Sequence, residues 1–326
     1  MNRNLNVYIL TYNRANYLEQ CIQSVLNQTY ENFELYVLDN HSSDNTSLVV
    51  SGIEDSRLHY IRHEENIGGF GNLIYATQHC EAEFFVMFHD DDIMLPDFLE
   101  REIEVMEKNT DVALVSSNAE FLNADGEGTG IRLKKIKKPR VLKKEEIFRR
   151  YLYDGNTLVF PSIMYRKSFL AEHNILPNEN AGPAGDVIFY CDIGRYGGAA
   201  YELPDVLMQY RMHLGQDSQL SRGMMHVQLF RYMQSDEYYS KLLECNVTGQ
   251  HRAFKRYVEV EIAHLIEHEG NVQNFWDIIN DYKKCLKYNK NDWRQCLGMI
   301  WMTRRFPRLV NKMYLVYKKM KKKPGS

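Results

Sequence analysis

The chain has 326 residues, 44% of them apolar and 25% charged, with a formal net charge of −3. That is the composition of an ordinary water-soluble globular protein, long enough for two domains or for one large domain with an appendage, and the small net charge by itself says nothing about partners. No apolar run approaches the roughly 18 residues of a spanning helix, and the N-terminus lacks a signal peptide's apolar stretch, so a cytoplasmic protein with reduced cysteines is expected.

The first elements read as alternating strand and helix. Val7-Tyr8-Ile9-Leu10 is a short apolar strand, Thr11-Tyr12-Asn13-Arg14 a polar turn, and Tyr17 to Gln28 has helical spacing through Leu18, Cys21, Ile22, Val25 and Leu26. Phe33 to Leu38 is a second strand, ending at Asp39-Asn40-His41-Ser42-Ser43-Asp44. This is a β-α-β unit of a parallel sheet. Leu58 to Ile61 makes a third strand, and Asn66-Ile67-Gly68-Gly69-Phe70-Gly71-Asn72 opens a helix running through Cys80. The apolar run Phe84 to Phe88 is the fourth strand, and it delivers Asp90-Asp91-Asp92 together at its carboxyl end.

Three adjacent carboxylates repel one another unless a cation neutralises them, and hard divalent ions take oxygen ligands while keeping positions open for substrate phosphates. The triplet therefore reads as a metal-diphosphate site, with a solvated acidic loop as the alternative. Ligands of open α/β sheets bind outside the carboxyl ends of the strands, where Thr11, Tyr12, Arg14, Asp39 and the triplet all lie. Asp39 is suited to accept hydrogen bonds from a base or ribose, Tyr12 to stack on a base, and the glycines at 68, 69 and 71 to admit a ligand close to the backbone. Taken singly, Asp39 could equally cap the next helix, Tyr12 be a surface aromatic, and the glycines form only a turn. The glycine string is not the dinucleotide fingerprint, because it follows the third strand rather than the first.

In order and spacing, these segments resemble a known family. The strand before Thr11-Tyr12-Asn13-Arg14, then Ser24-Val25-Leu26-Asn27-Gln28-Thr29-Tyr30, Val37-Leu38-Asp39-Asn40, Asn66-Ile67-Gly68-Gly69 and the Asp cluster look like family 2 glycosyltransferases of the GT-A fold. Within the family, the pairing of Asn66-Ile67-Gly68-Gly69 with Asp90-Asp91-Asp92-Ile93 is most similar to the galactofuranosyl- and rhamnosyltransferase branch. The resemblance implies an α/β fold with a Rossmann-like, mostly parallel sheet flanked by helices. It also implies a nucleotide-sugar site at Thr11, Tyr12, Arg14, Asp39, Asn66, Gly68, Asp90 and Asp91, with Asp39 on the base. Asp90, Asp92 and, from the segment ending Tyr210-Arg211-Met212-His213, the imidazole of His213 would hold a divalent metal, Mn²⁺ or Mg²⁺. A second register stays open, in which His89 stands where many members carry their first Asp and Asp91 is the chief ligand. Arg211 is suited either to clamp phosphate or to pair with a structural acid.

Val112 to Asn118 reads as a further strand, and Lys134 to Arg140 as a basic loop that is either a solvated surface or a contact for an anionic acceptor. Thr157 to Arg166 resembles the family's strand before the acceptor-side helix. In Ala181 to Phe189, Asp186 takes the place of the second acid of the family's catalytic pair, Gly185 replaces the first, and Asp192 is the alternative base. A base is needed because an acceptor hydroxyl is a poor nucleophile. The resemblance implies that displacement inverts the anomeric carbon.

From about Met225 the chain turns helical. Val258, Ile262, Leu265 and Ile266 form a core stripe, as do Phe275, Ile278, Ile279 and Tyr282. In the last segment Phe306, Leu309, Val310, Met313, Tyr317 and Met320 are surrounded by Arg304, Arg305, Arg308, Lys312, Lys318, Lys319 and Lys321 to Lys323. That is the pattern of a basic amphipathic helix on an anionic membrane face, with a domain-packing helix and basic tail as the alternative. No recognition motif accompanies the charge, so nucleic acid is not an expected partner.

The expected organisation is a nucleotide-sugar half over 1–115, an acceptor half over 116–222 and a helical region over 223–326. The expected function is a metal-dependent, inverting transferase moving a sugar from a nucleotide donor to a saccharide or lipid-linked glycan in surface-polysaccharide assembly, in the cytoplasm or peripherally on the inner membrane face. The rivals are a non-catalytic sugar-nucleotide-binding partner and a sugar nucleotidyltransferase, the latter disfavoured because Leu10 to Arg14 lacks a glycine-rich basic loop.

Overall fold

The computed structural model describes residues 4–123, 126–155, 158–213 and 223–321, with side chains described as far as 315. Gln216 and Ser218, which extend the His213 segment, lie outside the described residues, as do Lys322, Lys323 and the side chains of Tyr317 to Lys321. The chain divides into two compact units: Met1–Phe148, Asn156–Glu179 and Gly185–Leu220 form one, and Arg149–Gly155, Asn180–Ala184 and Ser221–Ser326 form the other. No described helix is long and apolar enough to cross a membrane.

The first unit is built on a ten-stranded mixed sheet. Its strands are β1 (Leu5–Thr11), β2 (Phe33–Asp39), β3 (Leu58–Arg62), β4 (Phe84–His89), β5 (Ile93–Met94), β6 (Val112–Leu122), β7 (Gly128–Arg132), β8 (Arg140–Lys143), β9 (Ile163–Arg166) and β10 (Ala199–Arg211). The spatial order is β3-β2-β1-β4-β9-β6-β10-β5, with β7 beside β6 and β8 beside β10. β1 to β4, β6 and β10 run in one direction, and β5, β7, β8 and β9 run against them. The central strands β1 and β4 are buried along almost their whole length, as parallel strands covered on both faces must be, whereas the edge strand β3 is only half-buried.

Two registers position the site. β1 pairs with β2 so that Thr11 lies opposite Asp39, and with β4 so that Leu10 lies opposite His89. The loops after three neighbouring parallel strands therefore leave the sheet side by side. The short strand β5, directly after the Asp triplet, pairs antiparallel with β10 through Ile93 with Gln209 and Met94 with Met208. That pairing carries the end of β10, and with it Arg211 and His213, to the triplet.

Helix α1 (Ala15–Leu26) buries Leu18, Cys21, Ile22, Val25 and Leu26, the stripe its spacing predicts. It is followed by α2 (Thr46–Ser51), α3 (Gly68–His79), α4 (Phe98–Lys108), α5 (Glu146–Asp154), α6 (Lys167–Glu172) and α7 (Asp186–Arg195). The sequence reading did not anticipate α4, although Phe98, Leu99, Ile103 and Met106 are buried at helical spacing. Leu203 to Arg211 has no strand spacing in sequence, yet it forms most of β10. Pro204 stands in β10 where the register with β6 shifts between Glu202 and Val206, so the missing N–H costs no ladder bond.

The basic loop is not simply solvated. Lys134 Nζ lies 3.0 Å from Glu202 Oε1 and Arg140 donates to Glu202 Oε2, so a fully buried carboxylate between them is neutralised, while Lys135, Lys137 and Lys138 face water.

The second unit is helical: α8 (Met224–Ser235), α9 (Glu237–Cys245), α10 (Val247–Glu267), α11 (Phe275–Cys285), α12 (Lys290–Arg305) and α13 (Pro307–Lys321). Tyr151, Phe230, Tyr257 and Tyr282 form its aromatic centre, with the Tyr151 and Tyr257 hydroxyls 2.7 Å apart. Arg256 donates to the carbonyls of Tyr151, Leu152 and Tyr153, closing the C-terminus of α5 with a cation where the helix dipole is negative. The stripes Val258, Ile262, Leu265, Ile266 and Phe275, Ile279, Tyr282 are buried, with Ile278 half-buried.

Candidate functional site

The turn after β1 is held by short polar side chains. Asn13 adopts φ 52°, a left-handed conformation that asparagine tolerates; its N–H donates to Ser42 Oγ, and its Oδ1 accepts from the Ser43 N–H. The geometry leaves Tyr12 pointing outward at 46% exposure and turns Arg14 back toward the acids. Across β2, Asp39 is fully buried and occupied by the Ser42 N–H at 2.8 Å and the Tyr60 hydroxyl at 2.5 Å, with Arg62 Nε 3.5 Å away. A carboxylate offers about four lone-pair sites, so Asp39 retains acceptor capacity beyond these three partners. Asn66 Oδ1 accepts from Asn40 Nδ2 and the Gly68 N–H, forming a turn in which Gly68 has φ +77° and needs no side chain.

The triplet is buried. Asp90 accepts from the Tyr12 N–H at 3.3 Å. Asp91 Oδ2 receives Arg14 Nη1 at 2.5 Å and lies 2.8 Å from His213 Nε2. Asp92 Oδ1 accepts the Arg211 N–H at 2.9 Å, while its Oδ2 is buried without a hydrogen-bond partner among the described residues, with a His89 ring nitrogen 3.9 Å away. His213 Nε2 is also 3.1 Å from Arg14 Nη1; as a donor it serves the carboxylate, as an acceptor the guanidinium, and one tautomer cannot serve both.

Burial pushes the Asp90 carboxyl up to about 7, helped by the charge of Asp91 and opposed by Arg14. Asp92 is driven well above the usual carboxylate range by the same burial and by Asp91, against the Arg211 N–H. Acids packed this way either hold protons or recruit positive charge.

His89, Asp91 and Asp92 each offer a ligand atom within 4.8 Å of the others. Together with the orphaned Asp92 oxygen, this donor set fits a hard or borderline divalent ion. His89 belongs to the second register left open above; His213 approaches through Asp91, and Asp90 faces Tyr12 and Arg14. Arg211 serves the loop itself: its Nε donates to the Asp91 carbonyl at 2.7 Å, and Nη2 donates to Gln20 at 2.8 Å.

Asp186 opens α7 and is half-buried. Burial lifts its carboxyl to about 6, against the N–H groups at the helix start. Its charge is felt by the buried Tyr165 hydroxyl, which is driven up by burial first and by Asp186 second and has no hydrogen-bond partner among the described residues. A Cβ at Gly185 would stand 2.7 Å from the Asn178 carbonyl oxygen and 2.8 Å from the Phe70 ring, so the first acid of the family's pair has no room here. Asp192 lies 3.7 Å from Arg195 on its own helix.

Residues that sequence reasoning did not single out complete the arrangement: Tyr60 beneath Asp39, Gln20 behind Arg211, and Asn40, whose Oδ1 accepts the Ile67 N–H and so ties the loop after β2 to the loop before α3. Only the strand-end position of Asn40 carried a signal.

A family model described as Glycosyl transferase family 2 matches residues 6–173. An uncharacterized glycosyltransferase of Haemophilus influenzae is 27% identical over 66% of this chain and 67% of its own length. An Escherichia coli protein, the UDP-Glc:alpha-D-GlcNAc-diphosphoundecaprenol beta-1,3-glucosyltransferase WfgD, is 34% identical over 36% of this chain and 47% of its own length. The match thus spans two thirds of the first relative's length and about half of the second's. Among solved structures, S. aureus TarS in complex with UDP-GlcNAc aligns with TM-score 0.63 at 15% identity, over 95% of this chain and 91% of that one. The Pyrobaculum calidifontis mannosyltransferase PcManGT in complex with GDP-Man and Mn²⁺ aligns with TM-score 0.55 at 16% identity, over 94% and 88%. At these identities the structural likeness establishes the fold, a GT-A-like α/β unit with a helical C-terminal region.

Proposed function

Because the chain belongs to glycosyl transferase family 2, we propose that it transfers a sugar from a nucleoside-diphosphate donor to a saccharide or lipid-linked glycan acceptor, with inversion, on the cytoplasmic side of a membrane. The observation that carries this reading is the convergence of three strand-end loops on a buried carboxylate triplet that keeps one oxygen unpartnered among the described residues. In this reading Thr11, Tyr12, Arg14, Asp39, Asn66 and Gly68 bind the donor, the base resting on Asp39 and against Tyr12. Asp90, Asp91 and Asp92, joined by His213 and His89, hold a divalent ion, which when bound supplies positive charge to the leaving diphosphate.

The acceptor half over 116–222 presents Asp186. Its carboxylate takes the proton from the acceptor hydroxyl as the oxygen forms its bond to the anomeric carbon; the nucleoside diphosphate departs from the opposite face with the electrons of the broken bond. A carboxyl lifted to about 6 is ionised at neutral pH yet basic enough to accept that proton. We place the donor among the UDP and dTDP sugars and the enzyme near the galactofuranosyl- and rhamnosyltransferase branch, on the residues Asn66 to Gly69 and Asp90 to Ile93. A UDP sugar is also the donor named for WfgD and the ligand named for TarS.

Calorimetric titration with a panel of nucleoside diphosphates, with Mn²⁺ and with chelator, tests the reading on the wild type and Asp92→Asn. The expected result is metal-dependent binding of one diphosphate that the variant loses. Failure of every nucleotide to bind would overturn the reading, whereas nucleotide binding without transfer would move the weight to the non-catalytic sugar-nucleotide-binding partner.

A further inference from the structure

The last two helices expose what the other helices of their unit bury. α10 and α11 turn Val258, Ile262, Leu265, Phe275, Ile279 and Tyr282 inward. In α12, α13 and the residue between them, Trp301 is 63% exposed, Phe306 49%, Leu309 58% and Met313 64%. The Trp301 and Phe306 rings meet edge to face at 6.3 Å, and Leu309 and Met313 stand one helical turn apart, so the exposed apolar side chains come in neighbouring pairs rather than as isolated surface residues.

The charge around the patch has one sign. From Trp293 to Lys323 the sequence carries ten lysines and arginines and no aspartate or glutamate. Among the described side chains, Arg304, Arg305, Arg308 and Lys312 are exposed beside the apolar residues, with the Arg305 guanidinium 5.8 Å from the Phe306 ring centroid.

We propose that this face is a docking surface for an anionic lipid bilayer. An interfacial helix needs apolar side chains that enter the boundary between headgroups and acyl chains, and cations long enough to reach lipid phosphates from beside them. Tryptophan is favoured at that depth, and Trp301 is the most exposed tryptophan of the chain. A nucleic acid would reward the arginines but leave Leu309 and Met313 in water; a packed neighbour of ordinary composition would reward the apolar residues but not an unbroken positive charge. The inference concerns the helical unit alone and stands whatever the donor sugar.

Co-sedimentation of the full chain with vesicles tests it, using phosphatidylcholine alone and phosphatidylcholine with phosphatidylglycerol, at low and high salt. Binding is expected on the anionic vesicles, weakened by salt. Arg304→Gln, Arg305→Gln and Arg308→Gln together should lower it on the order of a hundredfold, at about fivefold for each cation near the surface. Leu309→Ser with Met313→Ser should lower it at both salt concentrations. Vesicles should shift tryptophan emission to the blue in the wild type but not in Trp301→Phe, which still sediments. Wild type that stays in the supernatant with every vesicle, or variants that bind as well as wild type, would overturn the proposal. So would a dimer that the apolar substitutions dissociate without any vesicle binding, which would assign the face to a second copy of the chain.

Discussion

The carboxyl ends of β1, β2 and β4 and the surface of α12 and α13 break the same rule in opposite senses. The first buries charge: Asp39 and the triplet are nearly inaccessible and cross-braced by Arg14, Tyr60, Arg211 and His213. The second leaves large apolar side chains in water among cations. Single exposed apolar residues are ordinary, but a buried carboxylate cluster and a group of neighbouring exposed apolar side chains each imply a missing partner. The lesson is that each proposed partner is the chemical complement of its anomaly: positive charge at the sheet, anionic lipid at the helices.

The largest effect that would sharpen the contrast lies at Asp186. Asp186→Asn should lower transfer by about 10² to 10⁴ while leaving nucleoside-diphosphate binding intact; retained transfer would remove Asp186 as the base. In the wild type the rate should rise with pH through about 6 as the carboxylate forms. The stability sign is the reverse. A folded pKa raised above 3.8 means that ionising Asp186 costs stability, a cost absent at low pH and complete above about 6, so Asp186→Asn should raise Tm at neutral pH.

A smaller effect would test whether the braced charge is a placeholder. Arg14 lies against Asp91 and His213 where a cation would also be drawn, so Arg14→Gln should tighten Mn²⁺ binding without nucleotide on the order of tenfold, read from the free-ion paramagnetic signal. Unchanged or weaker binding would mean that the guanidinium and the ion occupy separate places. The smallest effect belongs to the helices. Leu309→Ser should alter stability by no more than about 0.5 kcal/mol in chemical denaturation, whereas Leu18→Ala, in a fully buried position, should cost about 2–5 kcal/mol. Comparable losses at both would show that the α13 face is packed in solution.

Much of the sheet was readable because burial on both faces forces a continuous apolar run: Phe84 to Phe88 announced β4, and Val7 to Leu10 announced β1, with ends displaced by a residue or two. α4 is inconspicuous in the sequence because Glu100, Arg101, Glu104 and Glu107 separate its buried positions. β10 was hidden by Pro204, which a register shift accommodates. The Lys134 to Arg140 loop looked like solvated charge because nothing local to it announces Glu202, more than sixty residues away in the chain.

By itself the sequence determined the local chemistry: which strands could be buried, that three carboxylates would leave one strand end together, and that the last helix would be apolar on one side and basic around it. Those properties follow from side-chain type and spacing along a few turns or a few strand residues. Tertiary structure decided the pairings. His213 reaches Asp91 across 122 residues because β5 pairs with β10, Arg14 reaches His213 across 199, and position 185 has no room for the first acid of the pair because Phe70 and Asn178 occupy the space. Contacts of that range are set by sheet register and by which elements share a volume, and neither quantity is written in any local stretch of the chain.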